Sequence, residues 1–182
     1  MDQEEIIEHI QSGDVGVLPT DTLYGLVGSA LIPETVEKIY ALKHRNPEKP
    51  LIVLIADIVD VEQFGCVLSK KLIKQLETYW PGPTSIILPT LDETFDYLDR
   101  GTHSVAFRLP NNDDLCDLIR QTGPIVAPSA NKEGEPPAAT IDAAKKIFGS
   151  SISFYQDGGT LKGKPSQLIE LDEEGKTTLL RG

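Results

Sequence analysis

Pro19-Thr20-Asp21-Thr22-Leu23-Tyr24-Gly25-Leu26 follows directly on the apolar run Val15-Gly16-Val17-Leu18. Val15 to Leu18 predicts a short buried strand that stops at Pro19, because proline has no N–H to give to a sheet ladder. The stretch beyond it is polar and lacks a helical period. In extended chain side chains alternate, so Thr20 and Thr22 are expected on one side and Asp21 on the other.

Outward from this junction, helices and strands are mixed without strict alternation. Residues 4–11 carry Ile6, Ile7 and Ile10 at helical spacing, with Gly13 as a stop. Pro33 to about Lys43 predicts a second helix, with Val36, Ile39 and Tyr40 on one face. Further helices are expected at 69–79, 111–121 and 140–148. Strands are expected at 51–55, 85–88, 104–109 and 125–127, and near 151–155, 167–171 and 176–181. This order predicts an α/β fold on a mixed, twisted sheet. No internal repeat, low-complexity tract or Gly/Ser linker interrupts it, so residues 1–182 are expected to form one domain.

The chain has 182 residues, 40% hydrophobic and 25% charged, which are ordinary globular values. Cys66 and Cys116 sit in apolar surroundings and are read as buried structural thiols of a reducing compartment. His9, His44 and His103 have no ligand spacing, which speaks against a structural zinc site. The acidic start Met-Asp-Gln-Glu-Glu and the lack of a membrane-length apolar run lead us to expect a cytoplasmic protein. A net charge of −11 argues against a broad nucleic-acid surface. The pairs Asp113-Asp114 and Glu173-Glu174 read as solvated surface.

Two more loops share the polar i, i+2 pattern. Lys43-His44-Arg45-Asn46-Pro47-Glu48-Lys49-Pro50 would bring Lys43 and Arg45 together, with Lys49 in the same row, if the chain is already extended at Lys43. Pro128-Ser129-Ala130-Asn131 offers two hydrogen-bonding side chains, with small Ala130 between them letting a ligand approach the backbone. Lys and Arg beside Ser, Thr and Asn donors suit a polyphosphate, and Arg108 at a strand end adds a charge. Each loop also has a plain structural reading, as a helix-dipole complement or as a turn. No Walker-type or Gly-x-Gly-x-x-Gly element is present, and no Gly-x-Ser-x-Gly elbow. Asp21 is the one acid that lies inside a candidate site.

At these residues the chain resembles the YrdC family, specifically its short, single-domain threonylcarbamoyl-AMP synthases. The resemblance rests on Pro-Thr-Asp-Thr-Leu-Tyr-Gly-Leu at 19–26, Lys-His-Arg at 43–45, Pro-Leu at 50–51 and Trp-Pro-Gly-Pro-Thr at 80–84. Val-Ala-Phe-Arg-Leu-Pro at 105–110, Ser-Ala-Asn at 129–131, Gly-Gly at 158–159 and Pro-Ser-Gln at 165–167 continue it in order. It implies a twisted mixed sheet flanked by helices, with an open cavity on one face. It also implies a reaction in which L-threonine, bicarbonate and ATP, with Mg²⁺, give threonylcarbamoyl-AMP and pyrophosphate. A separate tRNA threonylcarbamoyltransferase complex would then modify adenosine 37 of tRNAs reading ANN codons.

Carried over by position, Lys43, Arg45, Ser129 and Asn131 match the family's catalytic and nucleotide-binding tetrad. Lys49, Ser104 and Arg181 match further nucleotide contacts. Thr22, Arg108 and Ser166 match positions that hold threonine, and Tyr24 would wall the cavity. Two departures from the forms with a second domain are Leu54, where those forms favour histidine, and the Pro136-Pro137 pair. With the chain ending at Gly182, a second domain is not expected. Other readings are an RNA-binding module of the same fold with weak tRNA contact, and a carbamoyl-AMP-forming relative. The charge argues against the first and the free-standing length against the second.

Overall fold

A computed structural model describes residues 1–171 and 177–182. The expected pair Glu173-Glu174 and residue 176 of the last strand lie outside the described residues. Helix α1 spans Gln3–Gln11, α2 Pro33–Lys43, α3 Lys70–Leu76, α4 Asp96–Asp99, α5 Asp113–Thr122 and α6 Ile141–Phe148. Strands are β1 Gly16–Pro19, β2 Tyr24–Ser29, β3 Ile52–Leu54, β4 Thr84–Pro89 and β5 Ser104–Arg108. They continue with β6 Ile125–Val126, β7 Phe154–Tyr155, β8 Gln167–Leu171 and β9 Thr177–Arg181.

The described strands form one mixed sheet in the order β7-β1-β2-β6-β3-β5-β4-β8-β9. β1 with β7, β3 with β5, and β4 with β8 are parallel, and the other neighbours are antiparallel. The central strands are apolar at successive positions because both faces are covered, and the period of two divides them between two cores. Val17, Leu26, Val53 and Val126 pack on one face with Val36 and Ile39 of α2 and Ala144 and Phe148 of α6. Leu18, Val27, Leu54 and Ile125 pack on the other with Ile6 and Ile10 of α1 and Leu115, Leu118 and Ile119 of α5.

Helix ends follow local chemistry. Asp2 and Glu5 form a reciprocal capping box at α1, and the Asn112 side chain caps α5 by accepting from the Leu115 N–H. Asp113 and Asp114 are exposed in the first turn of α5, as expected. Pro33 opens α2, and His44 in the left-handed conformation (φ 49°) closes it.

The expected mixed α/β class is what the structure has. The main difference is β2, at residues expected in part as loop. Its two glycines and terminal serine weaken a strand signal, yet every residue in it is buried. The helix expected at 69–79 is confined to 70–76, and the strand expected near 151–155 to Phe154–Tyr155. Both cysteines are buried and free, and burial pushes the Cys66 thiol up to about 12, which makes it a poor nucleophile.

Candidate active site

The loop at 20–23 is a turn, not extended chain. Thr20 is buried, and its hydroxyl donates to the Leu23 carbonyl (2.7 Å) while accepting from the N–H groups of Thr22 and Leu23. Thr20 and Thr22 do share a side, with hydroxyls 3.1 Å apart. The turn brings Asp21 onto Arg108 instead of sending it to the opposite face, since Arg108 Nη1 donates to Asp21 Oδ1 at 2.8 Å and lies 3.4 Å from Thr22 Oγ1. Alternation fails here because a short side-chain hydroxyl competes for the backbone and curls it.

Lys43 and Arg45 are not an i, i+2 pair of extended chain. Lys43 is the last helical residue, so an extended stretch does not begin there. The reversal at His44 lets the Arg45 N–H reach the Tyr40 carbonyl. Lys43 is 2% exposed, and its ammonium donates to the Ser129 carbonyl, the Asn131 carbonyl (2.7 Å) and Asn131 Oδ1 (3.2 Å). Arg45 donates from Nε to the Lys49 carbonyl and from Nη2 to the Pro50 carbonyl. Its remaining N–H groups meet no acceptor among the described residues. Lys49 is 58% exposed and ion-paired to Glu133 at 2.6 Å.

The third loop is pinned to β2. Leu26 N–H donates to the Pro128 carbonyl, Ala130 N–H donates to the Tyr24 carbonyl, and Gly25 and Ser129 form a bridge. Ala130 is fully buried, so it fills the core and is not the gap for ligand approach that its size suggested. Ser129 Oγ donates to Asn131 Oδ1 (2.6 Å), and Asn131 Nδ2 donates to the Lys132 and Glu135 carbonyls.

A cleft open to solvent is lined by Thr22, Tyr24, Arg45, Arg108, Ser129, Ser166 and Arg181. Its apolar floor is Leu51, Ile52 and Ala127. Ser104 lines an adjoining recess that shares Arg45 and Arg181. Lys43 and Asn131 stand behind the wall, where they hold Ser129, and Lys49 stays outside the cleft. Ser166 is buried against Ser85 (Oγ to Oγ 2.9 Å), and its carbonyl accepts from Nε and Nη2 of Arg181.

The connection 156–166 has no regular structure and no apolar period that would reveal its course. Tyr24 is fully buried; its hydroxyl accepts from the Gly158 N–H and donates to the Gly159 carbonyl, both at 2.8 Å. A Cβ on Gly163 would stand 2.0 Å from the Thr22 carbonyl oxygen, so backbone lies on backbone there. The signal was present as glycines at 158, 159 and 163 in a stretch with no apolar period, followed by Pro165.

Electrostatically the cleft is cationic on an acidic chain. Burial lowers the pKa of Arg108, an effect Asp21 partly offsets and Arg181 adds to. Burial and the nearby Arg45 lower that of Arg181. Three guanidiniums line the cleft, with Asp21 paired to Arg108 and Glu133 acting on Arg45 from outside, a balance that suits the phosphates and carboxylates of a ligand. Burial pushes Lys43 down to about 8 from its ordinary 10.5, with Arg45 adding to the effect and Glu133 opposing it. Folding therefore disfavours its protonated form. The stability penalty is complete below about 8 and is relieved as pH rises toward 10.5. The ammonium's grip on the Ser129 loop weakens over the same window. If that loop serves ATP, KM for ATP should rise above about pH 8 with no loss of melting temperature from this group. A KM for ATP that stays flat from about pH 7 to about pH 9.5 would contradict this role.

Comparison with known proteins defines the family. The model Sua5_yciO_yrdC, described as telomere recombination, matches residues 8–182, and the chain belongs to this family. A threonylcarbamoyl-AMP synthase of Bacillus subtilis is 34% identical over 152 residues, covering 82% of this chain and 44% of its own length. The chain thus spans about half the length of that relative. A threonylcarbamoyl-AMP synthase of Photobacterium profundum is 29% identical over 98% of this chain and 97% of its own. The crystal structure of P. abyssi Sua5 complexed with L-threonine superposes with a TM-score of 0.90 at 30% identity, covering 98% of this chain and 53% of that one.

Proposed function

We propose that the chain is an L-threonylcarbamoyladenylate synthase, a nucleotidyltransferase acting on ATP, L-threonine and bicarbonate. The observation that carries the reading is the convergence of Arg45, Arg108 and Arg181 on one hydroxyl-lined cleft, with the carboxylate of Asp21 behind Arg108. The names of the relatives and the threonine held by P. abyssi Sua5 support it.

The amine of threonine adds to bicarbonate with loss of water to give a carbamate. A carbamate oxygen then bonds to the α-phosphorus of ATP while the bond to the β-phosphate bridge breaks, and pyrophosphate leaves. No covalent enzyme intermediate is needed, so the residues work by placement and charge. Arg45 and Arg181 neutralise phosphate oxygens, with Ser104 beside them. Ser129 offers a hydrogen bond and is held by Lys43 and Asn131. Arg108, Thr22 and Ser166 hold the threonine end, and Tyr24 secures the 158–159 segment. Lys49, outside the cleft, extends the nucleotide side.

Among the described residues no group of three His, Cys, Asp or Glu is placed to hold a metal ion. Asp21 is already engaged by Arg108 and Asn111. This donor set does not fit a resident ion, so Mg²⁺ belongs to this scheme as part of the ATP substrate.

We place residues 1–182 in one working domain, in the cytoplasm, supplying the adenylate to a tRNA threonylcarbamoyltransferase complex. No helix among the described residues is long and apolar enough to cross a membrane. Incubation with ¹³C-bicarbonate, threonine and Mg–ATP tests the reading. A mass-shifted nucleotide product bearing both threonine and the label is expected. Label absent from every nucleotide product would refute it.

A further inference from the structure

One charged group at the cleft has no task in this reaction. Asp21 is 10% exposed, and both of its oxygens are engaged. Oδ1 accepts from Arg108 Nη1 at 2.8 Å, and Oδ2 accepts from the backbone N–H of Asn111 at 3.2 Å. It therefore ties the first loop to the chain that leaves β5, with Arg108 between them. Arg108 is itself 4% exposed.

The division of Arg108's donors matters. Nη1 is taken by Asp21, with Thr22 beside it. Nε is buried and meets no protein acceptor, and no bond from Nη2 is found among the described residues. The Nε–Nη2 edge is the side-on fork that receives a carboxylate through two parallel hydrogen bonds. A buried donor without a partner is costly unless a ligand completes it.

We propose that Asp21 is a positioning residue that takes the Nη1 end of Arg108 and so turns its Nε–Nη2 edge toward the substrate carboxylate. Asp21 touches no reacting atom. Its charge also offsets one of three guanidiniums, which keeps the cleft from binding small polyanions indiscriminately. The inference rests on the proposed reaction, in which Arg108 holds the carboxylate of threonine.

Asp21→Asn tests it, because it replaces the charge-assisted bond to Arg108 Nη1 by a weaker neutral one and sets an NH2 donor against the Asn111 N–H, so the hold on the guanidinium is loosened. KM for threonine should rise by about 10- to 100-fold, while KM for ATP changes by less than about 3-fold. Inhibition by added pyrophosphate should strengthen several-fold, because the cleft becomes more positive. In an Arg108→Lys background the same substitution should move threonine KM by no more than about 2-fold, since Asp21 acts through the fork.

A merely structural role predicts a lower melting temperature and a common loss in all parameters, and that result would overturn the proposal. If Asp21→Asn does not fold, Asp21→Glu keeps the charge but displaces Arg108, and the same selective rise in threonine KM is expected. A wild-type protein without threonine-dependent turnover would sink the functional reading itself. Normal wild-type turnover with unchanged threonine KM in the folded variant would sink only the role of Asp21.

Discussion

Arg45→Ala is expected to lower kcat/KM for ATP by about two to three orders of magnitude, the usual cost of losing a preorganised donor to developing charge. Arg45, like Arg181, faces both the main cleft and the adjoining recess with Ser104. Two of its donors hold the Lys49 and Pro50 carbonyls, so the guanidinium is fixed before a ligand arrives. Truncation removes both the charge and the tie on the 45–50 loop. Arg45→Lys separates the two, because an ammonium restores charge but cannot bond two carbonyls and a phosphate in one plane. It should recover only part of the loss. Pyrophosphate release at saturating threonine, followed against ATP concentration, measures both variants. An Arg45→Ala protein with near-normal rates would remove Arg45 from the nucleotide site.

Gly163→Ala is expected to have an effect of similar size on the threonine side. Its Cβ would lie 2.0 Å from the Thr22 carbonyl oxygen and 2.8 Å from the Thr22 carbonyl carbon. Both are backbone atoms, which no rotamer change can move aside, so the connection 156–166 must lift from the Thr22 turn. That displaces Pro165 and Ser166 in the cleft, and a shift of about 1 Å at a positioning element costs about 100-fold. Gly163 itself is exposed, in chain without regular structure, so the fold should lose little stability. Kinetics in threonine beside a thermal melt tests this. A melting temperature within about 2 °C of wild type and a kcat/KM for threonine lowered by about 100-fold are expected. Unchanged kinetics would mean that the connection does not shape the threonine site.

Apolar periodicity in the sequence carries most of the fold. Helix α2 has the bounds that Pro33 and Lys43 suggest, because proline opens a helix cleanly and the apolar face of Val36, Ile39 and Tyr40 has the helical period. Strand β2 was hidden because its identity is tertiary. Tyr24-Gly-Leu-Val-Gly-Ser is a strand by virtue of β1 on one side and β6 with the 128–130 loop on the other. The short α4 and the 3₁₀ turns at Ile58–Phe64 and Glu93–Phe95 carry too few periods to be read.

The candidate site was legible as residue types and as family motifs, and less so as geometry. Extended alternation explained neither Lys43, which is helical and buried, nor Asp21, which a threonine turn delivers to Arg108. The Ser129 and Asn131 side chains do cooperate, but through a bond to each other and a shared lysine. No local rule says that Gly163 rests on Thr22, since 141 positions separate them in sequence.

The most direct test of the central claim is pyrophosphate release from Mg–ATP in the presence of threonine and bicarbonate, repeated with each omitted in turn. Release in the complete mixture that falls to background when either threonine or bicarbonate is left out is the predicted result. Release indifferent to both would contradict the assignment of this cleft to adenylation of a threonine carbamate.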